Sequence, residues 1–268
     1  TTIEGFITSR IDKLPPREQL VLKVASVLGQ SFHQDIIKEI YPVAKERPQI
    51  KFVLDKLVQR GFLRHHSENV RDLFHFDQTT ILEVAYENML FERRRQIHKA
   101  SAVWYENHKS NQFQNYLPLI AHHWESAGNT SKALKYLEKA AVDAAQASNH
   151  ADVVRLARQG LHCAERGNKN HGFELSQSRK MRLHRLLADA HFSLGEIRES
   201  TREAESALNP MGFNVNLGAA GFGGLNNFLR TTRMAMGQHK NKAAVFAEAS
   251  RSASRLAMCY MSQQDEKS

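Results

Sequence analysis

Apolar positions at helical spacing dominate the chain from its start. Across residues 2–14, Ile3, Phe6, Ile7, Ile11 and Leu14 recur three and four apart, the pattern of a helix with one buried face. Pro15-Pro16 ends that segment, because a residue ahead of proline is driven out of the α region. Pro16 itself suits the first turn of a following helix, where the N–H it lacks would have no intrahelical partner. That second helix reads from Arg17 to Leu28 through Leu20, Val21, Val24 and Ala25, with Gly29 as its stop. Ser31 is the expected N-cap of a third helix through Ile36, Ile37 and Ile40, which Pro42 terminates. A fourth runs from about Pro48 to Arg60, with Ile50, Val53, Leu54 and Leu57 inward and Gly61 after it.

The period then changes. Phe62-Leu63-Arg64-His65-His66 and Leu73-Phe74-His75-Phe76, separated by the polar Ser67-Glu68-Asn69, predict a short hairpin. Three helices followed by a two-stranded wing outline a winged helix. Beyond it the helical period returns, first at residues 79–90 through Ile81, Leu82, Ala85, Tyr86 and Met89. It continues at residues 92–108 through Ile97, Ala100, Val103 and Trp104.

A repeat follows. Ala121, Trp124, Gly128, Ala133, Leu137 and Ala140 recur 67 residues later as Ala188, His191, Gly195, Ser200, Ala204 and Ala207. That offset is near twice the tetratricopeptide period of about 34 residues. Small residues would let paired helices approach, and the glycine would make the turn between them. Residues 132–147 and 151–165 give alanine-rich helices broken at Ser148-Asn149, a spacing irregular for a tetratricopeptide array. The segment 212–224 holds five glycines and predicts a linker. A further helix or helix pair spans about 225–261, followed by a polar tail that should fray.

Charge adds a bias without choosing a partner. The chain has 37 Lys and Arg against 28 Asp and Glu, a formal +9, which favours anionic surfaces of any kind. No apolar run reaches the ~18–20 residues of a membrane span. Two cysteines far apart, Cys163 and Cys259, exclude a disulfide framework and fit a reducing cytoplasm. The start shows no signal-peptide pattern, and its lack of an initiator Met suggests a piece of a longer protein.

Catalytic chemistry finds no footing. No Gly-x-x-x-x-Gly-Lys-Ser/Thr string is present, and the glycine-rich stretch 215–224 lacks its lysine. Of the 14 histidines, His65 and His66 alternate across a strand beside His75, and His122 and His123 point about 100° apart on a helix. Packed or solvated histidines are the expectation, and no metal. Tyr116, Trp124 and Tyr136 could line a groove, but their spacing suits a core. The candidate reading helix of a DNA-binding winged helix offers Gln49, Lys51, Lys56, Gln59 and Arg60 but also Asp55, and Arg93-Arg94-Arg95 is a second basic run. Lys and Arg are otherwise spread over the whole chain, which argues against nucleic acid as its main partner.

Several strings resemble a known family. Ile7-x-x-Arg10-Ile11-Asp12-x-Leu14-Pro15, then Leu22-Lys23-Val24-Ala25-Ser26-Val27-Leu28-Gly29-x-x-Phe32, resemble the joint between an AAA-like NTPase and its winged helix. Leu57-x-x-x-Gly61-Phe62-Leu63 resembles the end of that module. Phe76-Asp77-Gln78 followed by residues 79–90 and Arg93-Arg94-Arg95-x-x-His98 is similar to the next family block. The combination resembles the post-NTPase region of soluble-adenylyl-cyclase-like proteins, STAND-type signalling NTPases with tetratricopeptide-like tails. The likeness covers residues 1–165; the remainder is similar only as further helical hairpins.

The resemblance implies an all-α fold with one small β-hairpin wing, then tetratricopeptide-like hairpins. It divides the chain into a trailing helix of an upstream NTPase (1–14), a winged helix (15–91), helical repeats (92–210), a glycine-rich linker (211–224) and a last hairpin with its tail (225–268). It implies a non-catalytic segment that couples an NTPase in cis to a protein partner on the repeats, with adenylate or guanylate cyclase output in the whole protein. ATP and Mg would belong to upstream domains. The family carries Phe-x-His where this chain has Phe76-Asp77-Gln78, which makes Gln78 the candidate contact to the NTPase's nucleotide. Gln78 can donate a hydrogen bond but cannot carry positive charge. The alternative reading is a DNA-binding transcriptional regulator with an NTPase and repeat sensor.

Overall fold

The computed structural model describes residues 2–66, 72–108, 116–208 and 243–265. The chain forms two compact units, Thr1–Asn129 and Thr130–Ser268, whereas the divisions read from the sequence lie at 14, 91, 210 and 224. The described residues are mostly helical, with one small antiparallel sheet.

In the first unit, α1 (Ile3–Asp12) is N-capped by Thr2, whose hydroxyl accepts from the Gly5 amide at 3.2 Å. Ile7 and Ile11 bury one side of α1, and Ile3 and Phe6 stay 73% and 60% exposed on the other. α2 (Pro16–Leu28) begins on its proline and ends at Gly29, where φ is +102° and a side chain would be strained.

The sequence expectation fails next. Ser31 caps no helix. Ser31–His33 is a strand, β1, and α3 (Gln34–Ile40) starts after it. Phe32 supplies the reason. It is buried between Phe74, stacked with ring centroids 6.1 Å apart, and Phe76, edge-on at 6.0 Å. Pairing with β3 satisfies the backbone that a cap would otherwise have to serve.

After α3, a 3-10 turn (Ala44–Gln49) holds Pro48, so α4 (Ile50–Gln59) starts two residues later than expected. The strands β2 (Leu63–His66) and β3 (Leu73–Phe76) complete a three-stranded sheet in the order β1-β3-β2, not a two-stranded hairpin. Then come α5 (Thr79–Glu87), α6 (Phe91–Asn107) and α7 (Leu117–Ser126). One core takes in Ile7 of α1, the apolar faces of α2 to α5, and Ile97 of α6.

The second unit contains α8 (Thr130–Gln146), α9 (His150–His171), α10 (Gln177–Ser193), α11 (Ile197–Leu208) and α12 (Ala243–Asp265). Consecutive helices from α8 to α11 pack side by side, and α12 lies against both α10 and α11. Close approach explains Gly160 in α9: a Cβ there would sit 3.3 Å from Leu183 and 3.4 Å from Leu134. α10, α11 and α12 meet through Ala188, Ala204, Leu208, Ala249, Ala253 and Leu256.

One backbone turn occurs four times among the described residues, first at 60–62, where Gly61 has φ +71° and the Phe62 amide donates to the Leu57 carbonyl at 3.0 Å, and then three times between helices. At 127–129, 147–149 and 194–196 the central residue has positive φ (Gly128 +78°, Ser148 +56°, Gly195 +78°). The next amide donates to the carbonyl five residues back, Asn129 to Trp124, Asn149 to Ala144 and Glu196 to His191, at 2.8–2.9 Å. This is the αL helix stop whose six-residue loop closes on an orphan carbonyl. All the repeat's non-glycine positions are buried. In the second copy α10 and α11 pack on each other; the helices of the first copy are divided between the two units. The expected linker at 211–224, the residues 225–242 and the polar turn at 67–69 lie outside the described residues.

Candidate functional site

Gln78 is exposed at the start of α5. Its side chain caps nothing, and its carbonyl accepts from the Ile81 amide at 3.1 Å. It is anchored by what precedes it: Gln30 Nε2 donates to the Phe76 carbonyl at 2.8 Å and the Asp77 amide to the Phe62 carbonyl at 3.1 Å. The surface face of α4 carries Lys51, Phe52, Asp55 and Gln59, and the Lys56 ammonium sits 4.6 Å over the Phe52 ring. An aromatic 61% exposed and a carboxylate thus share the face that would read DNA.

The basic run divides. Arg94 stacks its guanidinium 4.9 Å from the Tyr86 ring, and Arg95 donates to the Ala127 carbonyl at the end of α7 and to Glu92. Only Arg93 of the three is exposed. Two of the three arginines therefore serve the fold of their own unit.

The histidines converge in a way the sequence did not announce. His123 of α7 is fully buried, and His122, about 100° round the helix from it, is exposed. His98 of α6, 2% exposed, meets His123 Nδ1 to Nδ1 at 2.9 Å, and its Nε2 lies 3.0 Å from the Tyr86 hydroxyl. Burial pushes both rings down to about 3, helped for His98 by His122 and Arg94 and for His123 by His98 and His122. Both are neutral at neutral pH, so one Nδ1 donates and the other accepts. If the Tyr86 hydroxyl donates to His98, His98 donates onward and His123 Nε2–H is left over. In the reverse tautomers His123 Nε2 is a bare acceptor. In either case His123 Nε2 is buried without a hydrogen-bond partner among the described residues.

The aromatic surroundings are core. Trp124 is 3% exposed and donates to Glu106 at 2.8 Å, while Tyr105 stacks on Tyr116 at 5.5 Å and on His123 at 5.8 Å. Burial, then the neighbouring Tyr116, raises the Tyr105 hydroxyl to about 12. Tyr136 is half-buried with the Lys135 ammonium 5.9 Å over its ring. On the sheet, His75 Nδ1 lies 2.6 Å from the Ser31 hydroxyl and the His65 ring packs on Phe74 at 4.8 Å. Among the described residues no three His, Cys, Asp or Glu side chains form a set that could hold a metal ion. No described helix is long and apolar enough to cross a membrane. The glycine-rich stretch 215–224 lies outside the described residues.

What the second unit offers is a surface. A cavity of about 800 Å³ opens among α9, α10 and α11. Leu161, Phe173 and Leu175 form apolar lining, with Lys169 and Lys180 opposed in charge by Glu174. His184, also lining it, shares a 2.7 Å hydrogen bond with Glu203. Cys163 and Cys259 form no disulfide, and both are buried.

No family model, curated protein or solved structure matches the chain. Its function is therefore argued from its own residues and architecture.

Proposed function

We propose that the chain is a non-catalytic regulatory and interaction segment of a STAND-type NTPase signalling protein. It would couple the nucleotide state of an NTPase domain to a protein partner held on helical repeats, and so to an output such as adenylate cyclase activity. One observation supports this above others: the succession α2-β1-α3-α4-β2-β3, with the short β1 laid beside β3. It matches winged-helix connectivity, and helices joined by a recurring turn follow it, as in tetratricopeptide-like hairpins. In this reading Ile3 and Phe6, exposed on α1, are apolar surface for the NTPase body. The mixed-charge cavity of the second unit suits a peptide-like partner.

The DNA-regulator alternative is weaker for a local reason. Phe52 and Asp55 occupy the outer face of α4, and a carboxylate there repels phosphates. A purely regulatory segment should neither hydrolyse ATP nor make cyclic AMP as purified residues 1–268; turnover that copurifies with the chain through successive columns contradicts the proposal. The decisive experiment uses the full-length gene product. Amide exchange across α1 and α2 should differ between the ATP- and ADP-bound protein. Equal protection in both states, or no phosphate-binding loop in the flanking coding sequence, overturns the reading.

A further inference from the structure

α10 and α12 face each other with complementary charge patterns. α10 presents Arg182, Arg185 and Asp189, and α12 presents Glu248, Arg251 and Arg255, each set at i, i+3 and i+7 on one helix face. Glu248, 3% exposed, is held by Arg185 Nε at 2.7 Å and by Arg182 Nε and Arg251 Nη1 at 3.3 Å. Asp189 is held by Arg255 Nε at 2.6 Å and Arg185 Nη1 at 2.8 Å. Four guanidinium groups thus share two carboxylates.

The excess positive charge borders an opening. A cavity of about 300 Å³ is lined by Arg185, Asp189, Ser250, Arg251, Ser254 and Arg255, among others. Arg251 bonds Glu248 through one nitrogen, which leaves its Nε and second terminal nitrogen without a partner among the described residues. The neighbouring carboxylates are occupied elsewhere: Glu203 by His184 and Glu205 by the Tyr260 hydroxyl. Nor can the chain between α11 and α12 supply the missing charge, because residues 209–242 contain no Asp or Glu. Arginine is the side chain whose planar fork fits phosphate oxygens.

We propose that this cavity binds the dianionic phosphate of a small molecule, either free phosphate or a phosphate monoester of a few carbons. Two negative charges bring the four arginines and two carboxylates to neutrality. Arg251 and Arg255 donate to the phosphate oxygens, and the Ser250 and Ser254 side chains line its rim. Asp189 stays as the positioner of Arg185 and Arg255, and its own charge disfavours ligands whose anionic group approaches from its side.

The test is isothermal titration of the purified chain with inorganic phosphate and, separately, with glycerol 3-phosphate, at fixed ionic strength in chloride. Both arms run on the wild type, Arg251→Ala and the exposed control Arg198→Ala. The wild type should bind at least one of the two. Arg251→Ala should weaken that binding by about tenfold, the scale of one lost hydrogen bond to a charged group; Arg198→Ala should not change it. Tighter binding of glycerol 3-phosphate identifies a phosphorylated metabolite, and binding of phosphate alone identifies the free ion. Heat of binding in neither arm, or equal weakening by the two substitutions, overturns the proposal. Arg251 is the most exposed of the four arginines, so its truncation leaves the fold intact.

Discussion

Two buried imidazoles give the first unit a sensitivity to acid. His98 and His123 stay neutral in the fold, with values near 3, whereas in the unfolded chain they protonate near 6.5. Below that point the unfolded state takes up protons that the folded state refuses. Stability is therefore full above about pH 7 and falls as pH drops towards 3. Between pH 7 and 5 the loss should be about 2 kcal/mol per ring. Urea unfolding of the first unit at the two values checks it, and an unchanged midpoint would mean that the rings are hydrated. The pair was out of reach of the sequence for a simple reason. His122-His123 can be judged on its own helix, but the partner lies 25 residues earlier, on a face that looked different. The spacing suggested Ile97, Ala100, Val103 and Trp104 as the inner side of α6. The buried set is Ile97, His98, Ser101 and Ala102, rotated because a polar ring and a hydroxyl were counted as outward.

The elements read best where a residue forbids an alternative. Pro15-Pro16 and Gly29 bound α2 at both ends, since one cannot continue a helix and the other accepts a φ of +102°. β1 was illegible because three residues with one apolar side chain carry no measurable period. Its existence depends on Phe74 and Phe76, more than forty residues later. The recurring turn shows the same contrast. Its glycines at 61, 128 and 195 marked three of the four sites, but at 148 a serine occupies the αL position. Ser148→Gly should accordingly raise stability by about 0.5–1 kcal/mol, by relieving that conformation. Gly128→Ala should do the opposite. A Cβ there would be strained at φ +78° and would lie 2.7 Å from the Arg95 guanidinium, for a loss on the order of 1–2 kcal/mol. Thermal melts of the two variants decide both.

At the scale of the whole molecule, the mainly helical make-up and the β2-β3 hairpin were legible from period and punctuation, while the third strand and the division after Asn129 were not. It falls inside a repeat copy whose two helices have equivalent sequence signals. The charge excess reads differently once placed. Arg94 and Arg95 are folded onto their own unit, Arg179 forms a paired contact with Glu138, and Arg182, Arg185 and Arg255 are tied to carboxylates. Little of +9 is concentrated on α4. DNA binding should be weak, independent of sequence and lost towards physiological salt. Charge reversal of Lys51 and Lys56 should reduce it no more than reversal of the exposed Lys180 and Arg198. Fluorescence anisotropy over a salt series is the check, and a tight complex abolished only by the α4 reversals would favour the transcriptional reading.

Both thiols of the chain are buried, and both belong to the second unit: Cys163 in α9, and Cys259 in α12 with its sulfur 3.1 Å from the Ser200 hydroxyl. The first unit has no sulfhydryl at all. A thiol reagent is therefore a clock that runs only when the second unit opens, with two hands set on different helices. Equal labelling rates at the two sites would mean that α9 and α12 come apart in one event. A faster rate at Cys259 would mean that α12 leaves by itself, and with it Glu248, the carboxylate that gathers three of the arginines.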